Sequence, residues 1–162
     1  MKSLVFTLFF TFCIQVNATQ QIPEEFDVDM AKFDIEQQPL DSFIDNQQFQ
    51  KKFGAAMCSA SWRGYKGYWA LRGEQLMLTR LVTDACSKSP NSVDPEELFK
   101  KKKYPIEATW YSGRVVVRIS KRNFFDADRV GYSGQIYEAV VYVFLAGKLI
   151  SRSIEIVEER WQ

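Results

Sequence analysis

The segment from Ser61 to Leu81 constrains the fold most, because it has the pattern of a β-hairpin. Side chains on both sides of Arg72-Gly73-Glu74 alternate in direction as those of a strand do, and Gly73 can adopt the positive φ that a tight turn needs. Large aromatic side chains crowd this segment and one neighbouring predicted strand: Trp62, Tyr65, Tyr68, Trp69 and Trp110. The chain is therefore predicted to fold around an aromatic hairpin.

The first eighteen residues have the features of a secretory signal peptide. Lys2 precedes an apolar run from Leu4 to Ile14, and Val16-Asn17-Ala18 fits a small-residue cleavage site. The run is shorter than the roughly 20 residues that a membrane-spanning helix needs. We therefore expect residues 1–18 to be removed and the mature protein to be exported, to the bacterial periplasm or outside the cell, without insertion into a membrane.

Two cysteines remain after this cleavage, Cys58 and Cys86, and they lie at similar distances on either side of the Gly73 turn. An antiparallel hairpin brings such positions together, and exported proteins meet an oxidising environment. The sequence predicts a disulfide between Cys58 and Cys86, with two separate buried thiols as the alternative.

Residues 19–53 differ from the rest of the chain in charge. Between Thr19 and Gln48 there are eight carboxylates and one lysine, whereas seventeen basic and twelve acidic residues follow from Cys58 onward. The segment also holds too many phenylalanines for a purely solvating tail. We predict an acidic arm with a short helix at about residues 41–53, which either packs on the domain or binds a partner.

Residues 54–162 are predicted to form one mainly β domain, α+β at most. After the aromatic hairpin, two more hairpins are expected around Ser112-Gly113 and Ala146-Gly147. About six strands in an antiparallel meander would then form a small barrel or sandwich.

A second short helix is predicted at about residues 94–101. Asp94 can cap it and Pro95 suits its first position. The helix ends in the lysine run Lys100–Lys103, where cations complement the negative end of the helix dipole. This run fits either a solvated face or a site for a polyanion.

The chain contains no histidine. Serine triads, cysteine–histidine pairs and the usual zinc sites depend on that side chain, and no phosphate-binding or dinucleotide motif occurs. We expect no catalytic residue, metal or cofactor, and a formal net charge of +1 predicts no general attraction to nucleic acid. A carboxylate-dependent glycosidase is the remaining enzymatic alternative, with these candidate acids: Glu107, Glu138, Asp126 and Asp128.

Rings and cations alternate at close spacing in the aromatic hairpin, and further rings follow later in the chain. Exposed rings and arginines are typical of protein and glycan recognition, although rings in strands often belong to the core. The candidate partner-binding residues are Trp62, Arg63, Tyr65, Trp110, Tyr111 and Tyr132. We expect a non-enzymatic immunity or inhibitor protein that occludes a toxin or a cell-wall enzyme, with a glycan- or peptidoglycan-binding module as the alternative.

Several stretches between residues 58 and 150 form a longer pattern. They are W-R-G-Y-x-x-Y-W, E-L-F, A-T-W-Y-S-G-R-V-V-V, G-Y-x-x-x-x-Y-E and a final G-K-L. This pattern resembles a group of small uncharacterised bacterial proteins. The resemblance implies a single bacterial domain, and it implies no activity.

Overall fold

The computed structural model describes residues 21–55, 57–101, 103–126 and 131–161, so the predicted signal peptide lies outside the described residues. Within these ranges the chain forms ten strands and two helices, in this order: β1 (Glu24–Val28), β2 (Ala31–Ile35), α1 (Asn46–Phe53), β3 (Tyr65–Arg72), β4 (Gln75–Thr83), β5 (Asn91–Ser92), α2 (Pro95–Phe99), β6 (Ile106–Glu107), β7 (Gly113–Arg118), β8 (Asn123–Phe125), β9 (Ser133–Leu145) and β10 (Lys148–Trp161).

The strands form one open mixed sheet in the order β2-β1-β3-β4-β10-β9-β7, with β5 and β6 added on β4 and β8 added on β9. Strands β1 and β3 run parallel. The prediction of a mainly β chain is confirmed. The structure has ten strands within the described residues where about six were expected, and closure into a barrel or sandwich is not confirmed.

Two of the three predicted hairpins are confirmed. Strands β3 and β4 pair from Tyr65↔Thr83 to Arg72↔Gln75, and Gly73 turns with a φ of 60°. Strands β9 and β10 meet at a turn in which Gly147 has a φ of 77°. A Cβ on Gly147 would lie 2.6 Å from the carbonyl oxygen of Ala108, so this turn needs glycine for space as well as for conformation.

The hairpin predicted around Ser112-Gly113 is wrong. Strand β6 pairs with β4, with Glu107 opposite Met77, whereas β7 pairs with β9. Residues 108–111 form a turn closed by a hydrogen bond from Tyr111 N to Ala108 O of 2.9 Å. That turn sends the chain to the other side of the β9–β10 hairpin, so the two strands never become neighbours.

The acidic segment contains a hairpin that the sequence analysis missed. Strands β1 and β2 pair antiparallel through a two-residue turn at Asp29 and Met30, which have φ angles of 53° and 63°. Turns of this kind usually have the sequence Asn-Gly or Asp-Gly, whereas here methionine occupies the second position. Because β1 also pairs with β3, this part of the segment belongs to the sheet.

Replacing Met30 by glycine is expected to stabilise the protein. Met30 is fully exposed, so the change loses no packing. Its backbone is in the left-handed region, which strains methionine and which glycine adopts freely. We expect the free energy of unfolding to rise by about 0.5 to 1 kcal/mol in chemical denaturation. Ala31→Gly, in the adjoining strand, is the control and should lower it; a loss of stability in Met30→Gly would contradict the strain.

Both predicted helices are present, and α1 is shorter than expected. The side chain of Asp45 accepts a hydrogen bond from Gln48 N and caps α1. The helix starts later than predicted because the preceding residues form a turn, closed by a hydrogen bond from Phe43 N to Leu40 O. Asp94 caps α2 as predicted. No helix among the described residues is long and apolar enough to cross a membrane.

The predicted disulfide between Cys58 and Cys86 is confirmed, with the two Cα atoms 6.6 Å apart. The hydrophobic core contains Phe26 of β1 and Tyr142 of β9, whose rings meet edge to face at 5.4 Å between centroids. Strand β9 has buried residues on both faces, such as the neighbours Val141 and Tyr142, whereas Glu138 and Leu145 are exposed.

Candidate functional site

Three aromatic rings from separate segments stack on one another at the surface: Phe43, Phe99 and Trp110, the ring cluster. Phe43 lies 5.3 Å from Phe99 and 4.6 Å from Trp110 between centroids, and Phe99 lies 5.4 Å from Trp110. The interplanar angles are 11°, 30° and 19°. Phe43 is 42% exposed, so the cluster is open to solvent on one side.

Local contacts hold each ring in place. The indole Nε1 of Trp110 donates a hydrogen bond of 3.0 Å to Pro39 O, which ties the β6–β7 connection to the turn that carries Phe43. Phe99 is the last residue of α2, and the Lys52 ammonium of α1 donates to Glu97 O in α2. The ring cluster is therefore supported by both helices and by one edge of the sheet.

A cleft of about 320 Å³ adjoins the ring cluster. Apolar side chains form most of its walls, and two lysines, one threonine and one carboxylate complete its lining. The lining residues are Phe43, Leu98, Phe99, Lys100, Lys101, Ile106, Glu107, Thr109 and Trp110. A second cleft of about 310 Å³ shares Lys101 and Glu107 and adds Lys103. Such a surface can bury an apolar side chain and place ammonium groups beside the carboxylates of a partner.

The six residues predicted to bind a partner do not form one surface. Trp110 belongs to the ring cluster. Trp62, which is 52% exposed, lies in the connection between α1 and β3. Tyr111 is half-buried and donates its hydroxyl to Arg114 O at 2.7 Å. Tyr132 is half-buried.

Arg63 and Tyr65 lie in the interior, with 2% and 1% of their surfaces exposed. A partner cannot reach these two side chains in the folded protein, so they cannot be part of a binding surface. They belong instead to a group of five side chains that we call the buried polar cluster, of which only Asp41 is exposed: Glu24, Asp41, Arg63, Tyr65 and Trp69.

Hydrogen bonds connect most of this buried polar cluster. Trp69 Nε1 donates to Glu24 Oε2, and the Tyr65 hydroxyl donates to Asp41 Oδ1. The Arg63 guanidinium lies 3.9 Å from Asp41 and 5.3 Å from the centroid of the Tyr65 ring. Within the described residues, Glu24 Oε1 and Arg63 Nε have no hydrogen-bond partner.

Burial dominates the electrostatics of Glu24. Desolvation raises the pKa of its carboxyl to about 7, although the Trp69 hydrogen bond and the charge of Arg63 lower it. Burial and Asp41 raise the pKa of Tyr65. The cluster is closed to solvent at Glu24, which is 1% exposed, so we assign it a structural role.

Glu24 should make stability fall as the pH rises. Its folded pKa of about 7 exceeds the ordinary value of 4.5, so between these values the folded state binds more protons than the unfolded state. We expect the free energy of unfolding of the wild type, relative to Glu24→Gln, to drop by about 3 kcal/mol from pH 4.5 to 7.5. No histidine titrates in this window. Denaturation curves across that range measure it, and parallel curves for the two proteins would contradict the assignment.

The described carboxylates that were considered for glycoside cleavage, Glu107, Asp126 and Glu138, lie on separate segments of the chain. Glu107 is exposed on the cleft, Glu138 and Asp126 are exposed elsewhere, and Asp128 lies outside the described residues. In the part of the chain that the structure describes, no group of three or more Cys, Asp or Glu side chains could hold a metal ion.

Phe43 and Phe99 are site residues that were not among the predicted ones. Phe43 lies within the helix predicted at about residues 41–53 and Phe99 within the helix predicted at about residues 94–101, and neither local pattern indicates a contact with Trp110. Comparison with known proteins adds no assignment: no protein-family model, curated protein or solved structure matches this chain.

Proposed function

We propose that this protein is an exported, non-enzymatic binding protein that occludes a protein partner, as a periplasmic immunity or inhibitor protein does for a toxin or a cell-wall enzyme. The observation that carries the proposal is the exposed ring cluster beside its lysine-rimmed cleft. Aromatic side chains at the centre of a patch supply most of the binding free energy in many protein interfaces. The Cys58–Cys86 disulfide supports export, because such bonds persist in oxidising compartments.

The stacking of the rings favours a protein partner over a glycan. Sugars bind to open ring faces, and in this cluster each of Phe43, Phe99 and Trp110 is stacked on the other two rings, which takes up ring-face area. The cleft adds Leu98 and Ile106 to these rings, which suits an apolar side chain of a protein. Lys100 and Lys101 then select a partner with carboxylates around that anchor.

Affinity capture with the mature protein tests this function. The baits are the purified products of the adjacent genes and isolated peptidoglycan, each offered to wild type, Phe43→Lys and Phe124→Lys. Phe124 is a matched control, since it is 69% exposed on β8, which is not part of the cleft. We expect one protein to bind wild type and Phe124→Lys, and to bind Phe43→Lys at least about tenfold more weakly.

Other results of the capture overturn the proposal. Retention of peptidoglycan alone would establish the glycan-binding alternative, and equal binding by Phe43→Lys would place the interface elsewhere. If neither bait is retained at micromolar concentration, both binding functions fail. Thermal unfolding of each variant shows whether a loss of binding reflects a loss of fold.

A further inference from the structure

Strand β10 leaves one long edge of the sheet open. It pairs with β9 from Lys148↔Leu145 to Trp161↔Ser133, but its opposite edge meets β4 only at Lys148↔Gln75. Among the described strands, none other lies on that edge. No described strand therefore pairs with this edge beyond Lys148. An edge of this kind is a template for a further strand, which natural sheets usually block.

The open edge also carries an apolar stripe. Ile150, Ile154 and Ile156 are 59%, 73% and 71% exposed. Ile154 and Ile156 point to one face, together with Arg152 and Glu158, because their positions differ by multiples of two within the regularly paired part of the strand. Ile150 lies at the irregularity between Leu149 and Ser151. A stripe of isoleucines on an unpaired edge is the feature by which one strand recruits another.

We propose that this edge pairs antiparallel with the same edge of a second copy of the chain, about a two-fold axis at Glu155. In that register Ile154 lies opposite Ile156 of the second copy, and Arg152 lies opposite its Glu158. Symmetry repeats each pair, so two apolar pairs and two ion pairs form at once. The sequence of β10 is therefore complementary to itself, which selects a second copy over an unrelated strand.

The charges already present on β10 permit this pairing. Arg152 lies 3.1 Å from Asp29 and Glu158 lies 2.6 Å from Arg160. These ion pairs are exposed, so exchanging them for contacts with a second copy costs little. Glu155 would face its own counterpart at the axis, and the Arg114 guanidinium of the same chain, 2.6 Å away, compensates that carboxylate.

Sedimentation velocity of wild type and of two charge reversals tests the dimer and its register. We expect wild type to dimerise at about 10 to 100 µM subunits. Arg152→Glu and Glu158→Arg should each weaken the dimer at least about tenfold, since each homodimer then holds two like-charge pairs. An equimolar mixture of the two variants should dimerise again, because both ion pairs form between unlike copies.

Two isoleucine variants complete the test. Ile154→Lys should leave the protein monomeric, and Ile119→Lys, an exposed isoleucine outside β10, should not change the dimer. A wild-type monomer over the whole range overturns the proposal, whether another segment covers the edge or it stays bare. A dimer that survives Ile154→Lys or Arg152→Glu, or a mixture that stays monomeric, overturns it too. Circular dichroism shows that each variant is folded.

Discussion

Replacing Arg63 by methionine is expected to lower the free energy of unfolding by about 3 to 5 kcal/mol at pH 8. The guanidinium is buried and its charge stabilises the carboxylate of Glu24. Methionine fills most of the space but leaves that carboxylate without a compensating charge. Urea denaturation of the two proteins measures the loss.

The loss should depend on pH and on Glu24. Without Arg63 the pKa of Glu24 rises further, so the carboxyl stays protonated at pH 5 and the variant loses less stability there than at pH 8. Adding Glu24→Gln removes the buried charge itself. We therefore expect the double variant to be more stable at pH 8 than Arg63→Met alone, with a coupling free energy above about 1 kcal/mol.

Arg72→Met is the matched control for this experiment. Arg72 also pairs with an aspartate, at 3.0 Å from Asp27, but it is exposed. Its replacement should change stability by less than about 1 kcal/mol. Equal losses in Arg63→Met and Arg72→Met, or a loss in Arg63→Met that is the same at pH 5 and pH 8, would contradict the role of the buried polar cluster.

Removing the disulfide is the second change with a large expected effect. The bond joins cysteines 28 positions apart and closes a loop that contains the whole β3–β4 hairpin. On the chain-entropy account, the variant Cys58→Ser/Cys86→Ser should lose about 3 to 4 kcal/mol of stability. Chemical denaturation under non-reducing conditions measures this loss.

A reductant provides the control for the disulfide. Dithiothreitol should bring the wild type close to the stability of the double-serine variant, and it should leave that variant unchanged. Wild-type protein whose two cysteines both react with a thiol reagent before reduction would show that the bond does not form. A loss below about 1 kcal/mol would show that the unfolded chain gains little freedom from its removal.

Local patterns predicted the elements whose signals lie within a few residues. Gly73 and Gly147 mark their hairpins because only glycine fits those turns easily, and Asp94 followed by Pro95 marks α2. The β1–β2 hairpin was invisible because its turn uses Met30 in a left-handed conformation. The separation of β6 from β7 depends on a turn that docks against Gly147, a contact between distant segments.

The candidate site was predictable only in part. Trp110 was identified by its type, but its contacts with Phe43 and Phe99 arise when two helices and a sheet edge come together. Arg63 was taken for a surface cation because arginine is usually exposed. It is buried near Glu24, whose pKa its charge lowers, and Glu24 lies in a strand of the segment that was predicted to be an acidic arm.

The most direct measurement of the proposed function uses the indole N–H resonances of the tryptophans in a ¹⁵N-labelled sample. On stoichiometric addition of the captured protein partner, the signal of Trp110 should shift or broaden, because a ligand in the cleft changes the surroundings of the ring cluster. The signal of Trp69, which is buried against Glu24, should stay unchanged. A perturbed Trp62 signal together with an unperturbed Trp110 signal would contradict the cleft as the binding site.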